Sequence, residues 1–436
     1  MPKEDVAWYE KPEVKNLFIK ASSNAMRGYH CVIAAPKLTF AGTNSLTDFI
    51  NFTGMYLNED ERRVLIVVDK DLRKYGEMIG ERLATLKQID SKIFDNVLPD
   101  PPKFTIMEGV KLCEEYKPKL IIGIGGGSAI DTAKMIFVHY EQPNIDLNSV
   151  MAASYLGLRK KVKALAAMPT TSGTGSETTF IAVMTDTDRD PPRKTAVVLY
   201  EICPDFAILY PDFVKTMPES LALGTGMDAL AHARGSYVLT MSHDFSDMCN
   251  LKAVEMILKW LPRSVKNKND AEAREKMQMA AFIAGVGFGN VSGGIEHGLG
   301  HSLGALFHVH HGMAVGLYLC ASIAYQSKVT NRFIQLAKIL GVDTEGKQRD
   351  AILRELLGNL QAFLKNIGFP LGIKDLKVPV ITKAEYMEKL DILAEFSAND
   401  FTSLSSSRRV TKDPYKRMAL IAYENNMEEL MDLFYN

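Results

Sequence analysis

Four short apolar runs recur between Arg63 and Tyr210: RVLIVVD (63–69), LIIGI (120–124), ALAAMP (164–169) and FAILY (206–210). Each gives way to turn residues or to a helix start, the pattern of a parallel sheet wound with crossover helices. After Pro211 such runs stop, and segments such as Ser246 to Trp260 and Ala271 to Ala284 carry apolar residues at helical spacing. The expected fold class is therefore an α/β amino-terminal domain with a mostly parallel sheet, followed by an all-helical domain. The boundary is placed at residues 211/212, so that residues 1–211 form the first domain and 212–436 the second. Residues 1–39 read as an amino-terminal extension with one amphipathic stretch and no chemical marker. A chain of 436 residues is long enough for two separate cores.

Charge narrows the partners. Lys plus Arg number 51 against 52 for Asp plus Glu, so no field of one sign draws the chain to nucleic acid or to an anionic membrane. A small-molecule partner is expected. Five cysteines, Cys31, Cys113, Cys203, Cys249 and Cys320, lack CxxC spacing and fit reduced thiols in the cytoplasm. The first residues have no apolar segment of the secretory kind, and Met313 to Tyr325 is too short to span a bilayer.

Two glycine-rich turns follow strand-like runs. In LIIGIGGGSAIDTAK, residues 120–134, Gly125, Gly126, Gly127 and Ser128 open a helix. Glycines allow a sharp turn and close approach of backbone N–H groups, and a helix start favours negative charge, so the segment suits a phosphate. Ser128 and Asp131 have the spacing of a helix cap. The turn departs from the dinucleotide fingerprint G-x-G-x-x-G, since a third glycine is missing. The second turn, PTTSGTGSE at residues 169–177, brings Thr170, Thr171, Ser172 and Thr174 to the end of the next strand. Turns from neighbouring strands can hold a dinucleotide between them; alone, either is a plain loop. Asp69, at the end of RVLIVVD, can accept the hydroxyls of an adenosine ribose. A 2′-phosphate there would meet like charge, about 4 kcal/mol per unit pair at 4 Å and intermediate dielectric, which favours NAD over NADP. Read alone, Asp69 is a solvated strand end.

The segment Gly293 to Gly312, GGIEHGLGHSLGALFHVHHG, holds five of the nine histidines. His297 and His301 stand four apart, as do Asp228 and His232 in the helical stretch GMDALAHARGSYV, so each pair shares a helix face. A carboxylate with neutral imidazoles suits Zn²⁺ or Fe²⁺. Spacing does not separate His310 from His311 as a further ligand, and His308 and His310 also fit pocket lining or surface.

Taken together, GGGSAIDTAK, PTTSGTGSE, TGMDALAHA and AGVGFGNVSGGIEHGLGHSLGA resemble the iron-containing (group III) alcohol dehydrogenases over nearly the whole chain from Phe40. The resemblance implies metal ligands Asp228, His232, His297 and His311, the last chosen over His310, with His301 beside the metal as a proton carrier. It implies cofactor contacts from Gly126, Gly127, Ser128, Asp131, Thr170, Thr171 and Thr174, with Asp69 at the ribose and Lys194 as a further contact. Phe288 matches a position lining the alcohol pocket, or is a core aromatic only. The implied activity is reversible hydride transfer between a primary alcohol or its aldehyde and NAD(H), aided by one divalent metal, Fe²⁺ or else Zn²⁺, in a homo-oligomer. Maleylacetate reductases and hydroxyacid-oxoacid transhydrogenases are rivals in the same superfamily; a catalytically idle NAD-binding assembly protein is the rival of another class.

Overall fold

The computed structural model describes Tyr9 and residues 11–15, 32–147, 154–188 and 193–436. Cys31, much of the stretch before Phe40 and residues 189–192 of the loop before Lys194 lie outside the described residues. The chain divides into two compact units, Ile33–Met217 and Pro218–Asn436, and Tyr9 with residues 11–15 groups with the second. The division falls beyond Pro211 because the short helix Asp212–Lys215 buries Phe213 in the first unit, against Tyr75 and Tyr210.

The first unit is built on six parallel strands: β1 (Leu38–Ala41), β2 (Arg63–Val68), β3 (Asp90–Phe94), β4 (Leu120–Gly125), β5 (Ala164–Pro169) and β8 (Phe206–Leu209). Their order is β1-β8-β5-β4-β2-β3. The four expected runs are β2, β4, β5 and β8. Side chains alternate across the sheet and fill two cores. Leu65, Val67, Ile121 and Leu165 face the helices Lys103–Tyr116 and Gly127–Glu141. Val64, Ile66, Val68, Ile122, Ile124 and Met168 face the helices Ser45–Tyr56 and Arg73–Lys87 on the other side. A separate antiparallel hairpin pairs β6 (Ile181–Asp186) with β7 (Arg193–Val198).

The strand order reverses between β2 and β4. From β2 the chain crosses to β3 on one side, and from β4 it crosses to β5 on the other. The loops at the carboxyl ends of two such strands diverge and leave a crevice, the usual ligand position in an open α/β sheet. Val68 pairs with Ile124, so Asp69 and Gly125 stand level at that crevice.

The second unit is helical around one extended apolar core. Its central helix, Glu219–Tyr237, is buried on nearly every side from Gly224 onward, as expected of a helix with neighbours all round. The helices Asp244–Lys266, Ala271–Gly289, Ile295–Phe307 and His311–Leu317 follow. Gly312 sets one crossing, because a Cβ there would lie 1.9 Å from the Gly224 carbonyl oxygen. Only a glycine lets the start of helix His311–Leu317 lie directly on the central helix. Among the described residues no helix is long and apolar enough to cross a membrane, and Cys113, Cys203, Cys249 and Cys320 are buried free thiols.

Candidate functional site

Asp228 and His232 lie one turn apart on the central helix, and His297 and His301 one turn apart on helix Ile295–Phe307. The close crossing at Gly312 delivers His311. One ligand atom each from Asp228, His297 and His311 lies within 4.8 Å of the others. Oδ1 of Asp228 is the hub, 3.3 Å from His311 Nε2, 3.6 Å from His297 Nε2 and 3.8 Å from His232 Nδ1. His232 stands at the edge of this group, its ring stacked between His297 at 4.5 Å and Phe288 at 3.8 Å, nearly parallel to the latter.

The donor set fits a cation. Asp228 Oδ1, His297 Nε2 and His232 Nδ1 are buried and have no hydrogen-bond partner among the described residues, an arrangement that is costly unless something positive sits among them. Burial pushes His232 down to about 3, leaving a neutral imidazole. Burial also opposes the charged form of Asp228, but the His232, His311 and His297 rings outweigh it and hold its carboxyl well below the usual range. His297 is pushed up to about 9: burial opposes its charge, and the Asp228 and Glu296 carboxylates prevail. The cluster thus attracts a proton where a divalent cation would compete for it. One carboxylate with neutral nitrogens suits Zn²⁺ or Fe²⁺.

His301 is about one-third exposed, and its Nδ1 lies 2.7 Å from Asp400 Oδ2. Its ring stacks on His311 at 5.2 Å. Asp400 is a residue that sequence reasoning missed, because it lies 99 positions away and no local spacing connects it to His301. Glu296 was missed as well, although it sits inside the histidine segment. It is fully buried, pairs with Arg234 at 3.0 Å, and places Oε1 3.7 Å from His297 Nδ1. His308 and His310 are exposed. His308 is the left-handed carboxyl cap of helix Ile295–Phe307, and His310 packs over Gly224.

In the first unit the two glycine turns lie side by side. Gly125 adopts φ +149, and a Cβ there would collide with Ala129 at 2.6 Å, so the turn requires glycine. Thr170 N–H donates to the Gly125 carbonyl at 2.9 Å. Cβ atoms built on Gly126 and Gly127 would lie 3.5 Å from Thr171 and 3.1 Å from Thr174. Helix Gly127–Glu141 starts behind Gly126 with no side-chain cap, which leaves its first N–H groups for an anion. The expected cap by Ser128 and Asp131 is therefore not formed. Asp131 turns inward instead, accepting from Ser176 Oγ at 2.5 Å and Val183 N at 2.9 Å. It holds the second turn and the hairpin to the helix. Asp69 accepts from Asp71 N at 2.8 Å, and Lys194, exposed on β7, pairs with Asp100 at 2.7 Å.

Residues 37–211 match the family described as iron-containing alcohol dehydrogenase, and residues 222–419 match its carboxyl-terminal part. The chain is 32% identical over 392 residues to the NADPH-dependent butanol dehydrogenase of Clostridium saccharobutylicum, covering 89% of this chain and 97% of that one. It belongs to the iron-containing alcohol dehydrogenase family. The NAD-dependent methanol dehydrogenase of Bacillus methanolicus is 32% identical over 357 residues, 80% of this chain and 89% of that protein. Among solved structures, alcohol dehydrogenase from Oenococcus oeni superposes with a TM-score of 0.82 at 28% identity, covering 90% of this chain and all of the other.

Proposed function

We propose that this family member transfers a hydride reversibly between a small primary alcohol or its aldehyde and NAD(H), with one divalent cation, Fe²⁺ or else Zn²⁺. The observation that carries the reading is the convergence of Asp228, His297 and His311 within 4.8 Å around orphaned buried donors. These three and His232 would hold the cation, and Phe288, stacked on His232, would border the alcohol. Residues 1–211 would serve the dinucleotide, and 212–436 the metal chemistry. When bound, the cation supplies Lewis acidity and the dinucleotide supplies or takes the hydride.

The remaining work falls to the chain's own groups. The uncapped helix start behind Gly126, Gly127 and Ser128, with Thr170, Thr171 and Thr174, would hold the pyrophosphate. Asp131 would support that cradle from within, and Lys194 would add a positive charge from the hairpin on exchanging its partner Asp100 for the cofactor. Asp69 would accept the ribose hydroxyls. The nearby Arg73 is already committed to Glu77 at 2.9 Å and Asp95 at 2.5 Å, and a 2′-phosphate gains no arginine there. That favours NAD, although one relative is named for NADPH and another for NAD. His301, with Asp400 on Nδ1, would carry the proton to and from the substrate oxygen. Turnover of NADH with a panel of short aldehydes, run anaerobically on metal-replete protein, tests the reading. Prompt oxidation supports it, and bound NADH without turnover favours an idle assembly protein. A strict need for an oxo acid favours a transhydrogenase.

A further inference from the structure

Three consecutive residues, Asn399, Asp400 and Phe401, link the amino-terminal segment to His301. The middle one holds the imidazole: Asp400 Oδ2 faces His301 Nδ1 at 2.7 Å, and its Oδ1 is pinned by Thr402 N at 2.9 Å and Thr402 Oγ1 at 2.7 Å. Its two neighbours are held from outside. Lys15 Nζ donates to Asn399 Oδ1 at 2.8 Å. The Tyr9 ring lies 5.9 Å from the Phe401 ring, which in turn lies 6.3 Å from the His301 ring. Tyr9 and Val14 are buried, whereas Pro12 and Glu13 face solvent. The segment thus lays one face against the turn that carries Asp400.

We propose that Tyr9 and residues 11–15 clamp the Asn399–Phe401 turn, and so keep Asp400 where it fixes the ring of His301. The segment becomes a positioning element of the proton-carrying pair. This rests on the reading of His301 as proton carrier. A relay histidine needs one nitrogen protonated and the other accepting, and a carboxylate on Nδ1 settles which is which. Asp400 caps a short turn, Phe401–Ser403, between the helices Lys383–Ala398 and Lys412–Glu424. Its place depends on what braces that turn, and a shift of about 1 Å in a positioning group can cost about a hundredfold in rate.

The test uses full-length, zinc-loaded protein labelled with ¹⁵N-histidine, comparing the unaltered chain with Tyr9→Phe, Tyr9→Ala/Lys15→Ala and Asp400→Asn. The unaltered chain and Tyr9→Phe should show His301 as a single tautomer with its proton on Nδ1. The double variant should lose that signature as Asp400→Asn does, with bound zinc unchanged. Its kcat should fall about tenfold to a hundredfold while KM stays within about twofold. Adding Asp400→Asn to it should cost nothing more, since both act on one pair. An unchanged His301 signature after Tyr9 and Lys15 are cut back overturns the clamp, as do additive losses. Full turnover in His301→Gln would instead remove the proton-carrier reading, and the tautomer signature still decides whether the segment sets the ring.

Discussion

Arg234 and Glu296 form a fully buried ion pair at 3.0 Å that ties together the two helices bearing Asp228, His232 and His297. Arg234 also donates to Gln326 Oε1 at 2.9 Å and to Ser322 Oγ, so the guanidinium is anchored on a third helix. Replacing Glu296 by Leu leaves that guanidinium buried without its carboxylate, which should cost about 3–5 kcal/mol. Arg234→Met together with Glu296→Leu should recover most of the loss. Urea unfolding of the three proteins checks this; equal stability for the single and double variants would count against it.

Asp228 Oδ1 is the common neighbour of His232, His297 and His311. Asp228→Asn and His297→Ala should therefore lose metal and turnover together, as elemental analysis beside steady-state kinetics will show. His232→Ala should bind metal more weakly, because its nitrogen also faces Asp228. A His232→Ala protein with full metal affinity would take that residue out of the ligand set.

Asp69 stands level with Gly125 at the point where the strand order reverses. Changing Asp69 to Ala should weaken NADH binding and relieve the repulsion toward a 2′-phosphate. The NADH to NADPH affinity ratio should narrow at least about tenfold, that is by about 1.4 kcal/mol. Nicotinamide fluorescence titrations measure both affinities, and an unchanged ratio would remove Asp69 from the ribose.

Burial decides what the sequence announces. Strands β4 and β5 are buried along their whole length and stand out as apolar runs. The edge strands β1 and β3 are half exposed, and the sequence of β3, DSKIF, mixes charge with apolar residues, so neither carries a clear signal. The helix pairs Asp228 with His232 and His297 with His301 are legible because helical spacing is local. His310 and His311 are adjacent, so spacing does not choose between them; the resemblance favours His311, and the approach of Gly312 to Gly224 is what brings it to Asp228. Asp131 carries a capping signal in sequence, but the depth of its helix start turns it toward Ser176. Contacts across distant elements, such as Asp400 to His301, leave no trace in spacing at all.

Glu177 gives a pH prediction. It is buried in the second glycine turn and pushed up to about 7 by burial, against a pull downward from its own backbone and from Lys134. An acid whose folded value exceeds its ordinary 4.5 binds its proton more tightly in the folded chain. Stability therefore declines as pH rises from about 4.5 to about 7 and levels off above that, by at most about 3 kcal/mol. Glu177→Gln should raise stability at pH near 8 and change it little at pH near 4. Denaturant curves at both pH values check the sign, and equal effects at the two would contradict it.

In the proposed function the Asp228, His297 and His311 cluster is the seat of the chemistry. The most direct measurement strips metal from the protein with a chelator, adds back Fe²⁺ or Zn²⁺ in stoichiometric steps under anaerobic conditions, and follows NADH oxidation by a short aldehyde alongside elemental analysis. Turnover should vanish on stripping, return in proportion to bound metal up to one ion per chain, and fail to return in Asp228→Asn. Turnover that persists in the stripped protein, or that returns equally in Asp228→Asn, would contradict the account.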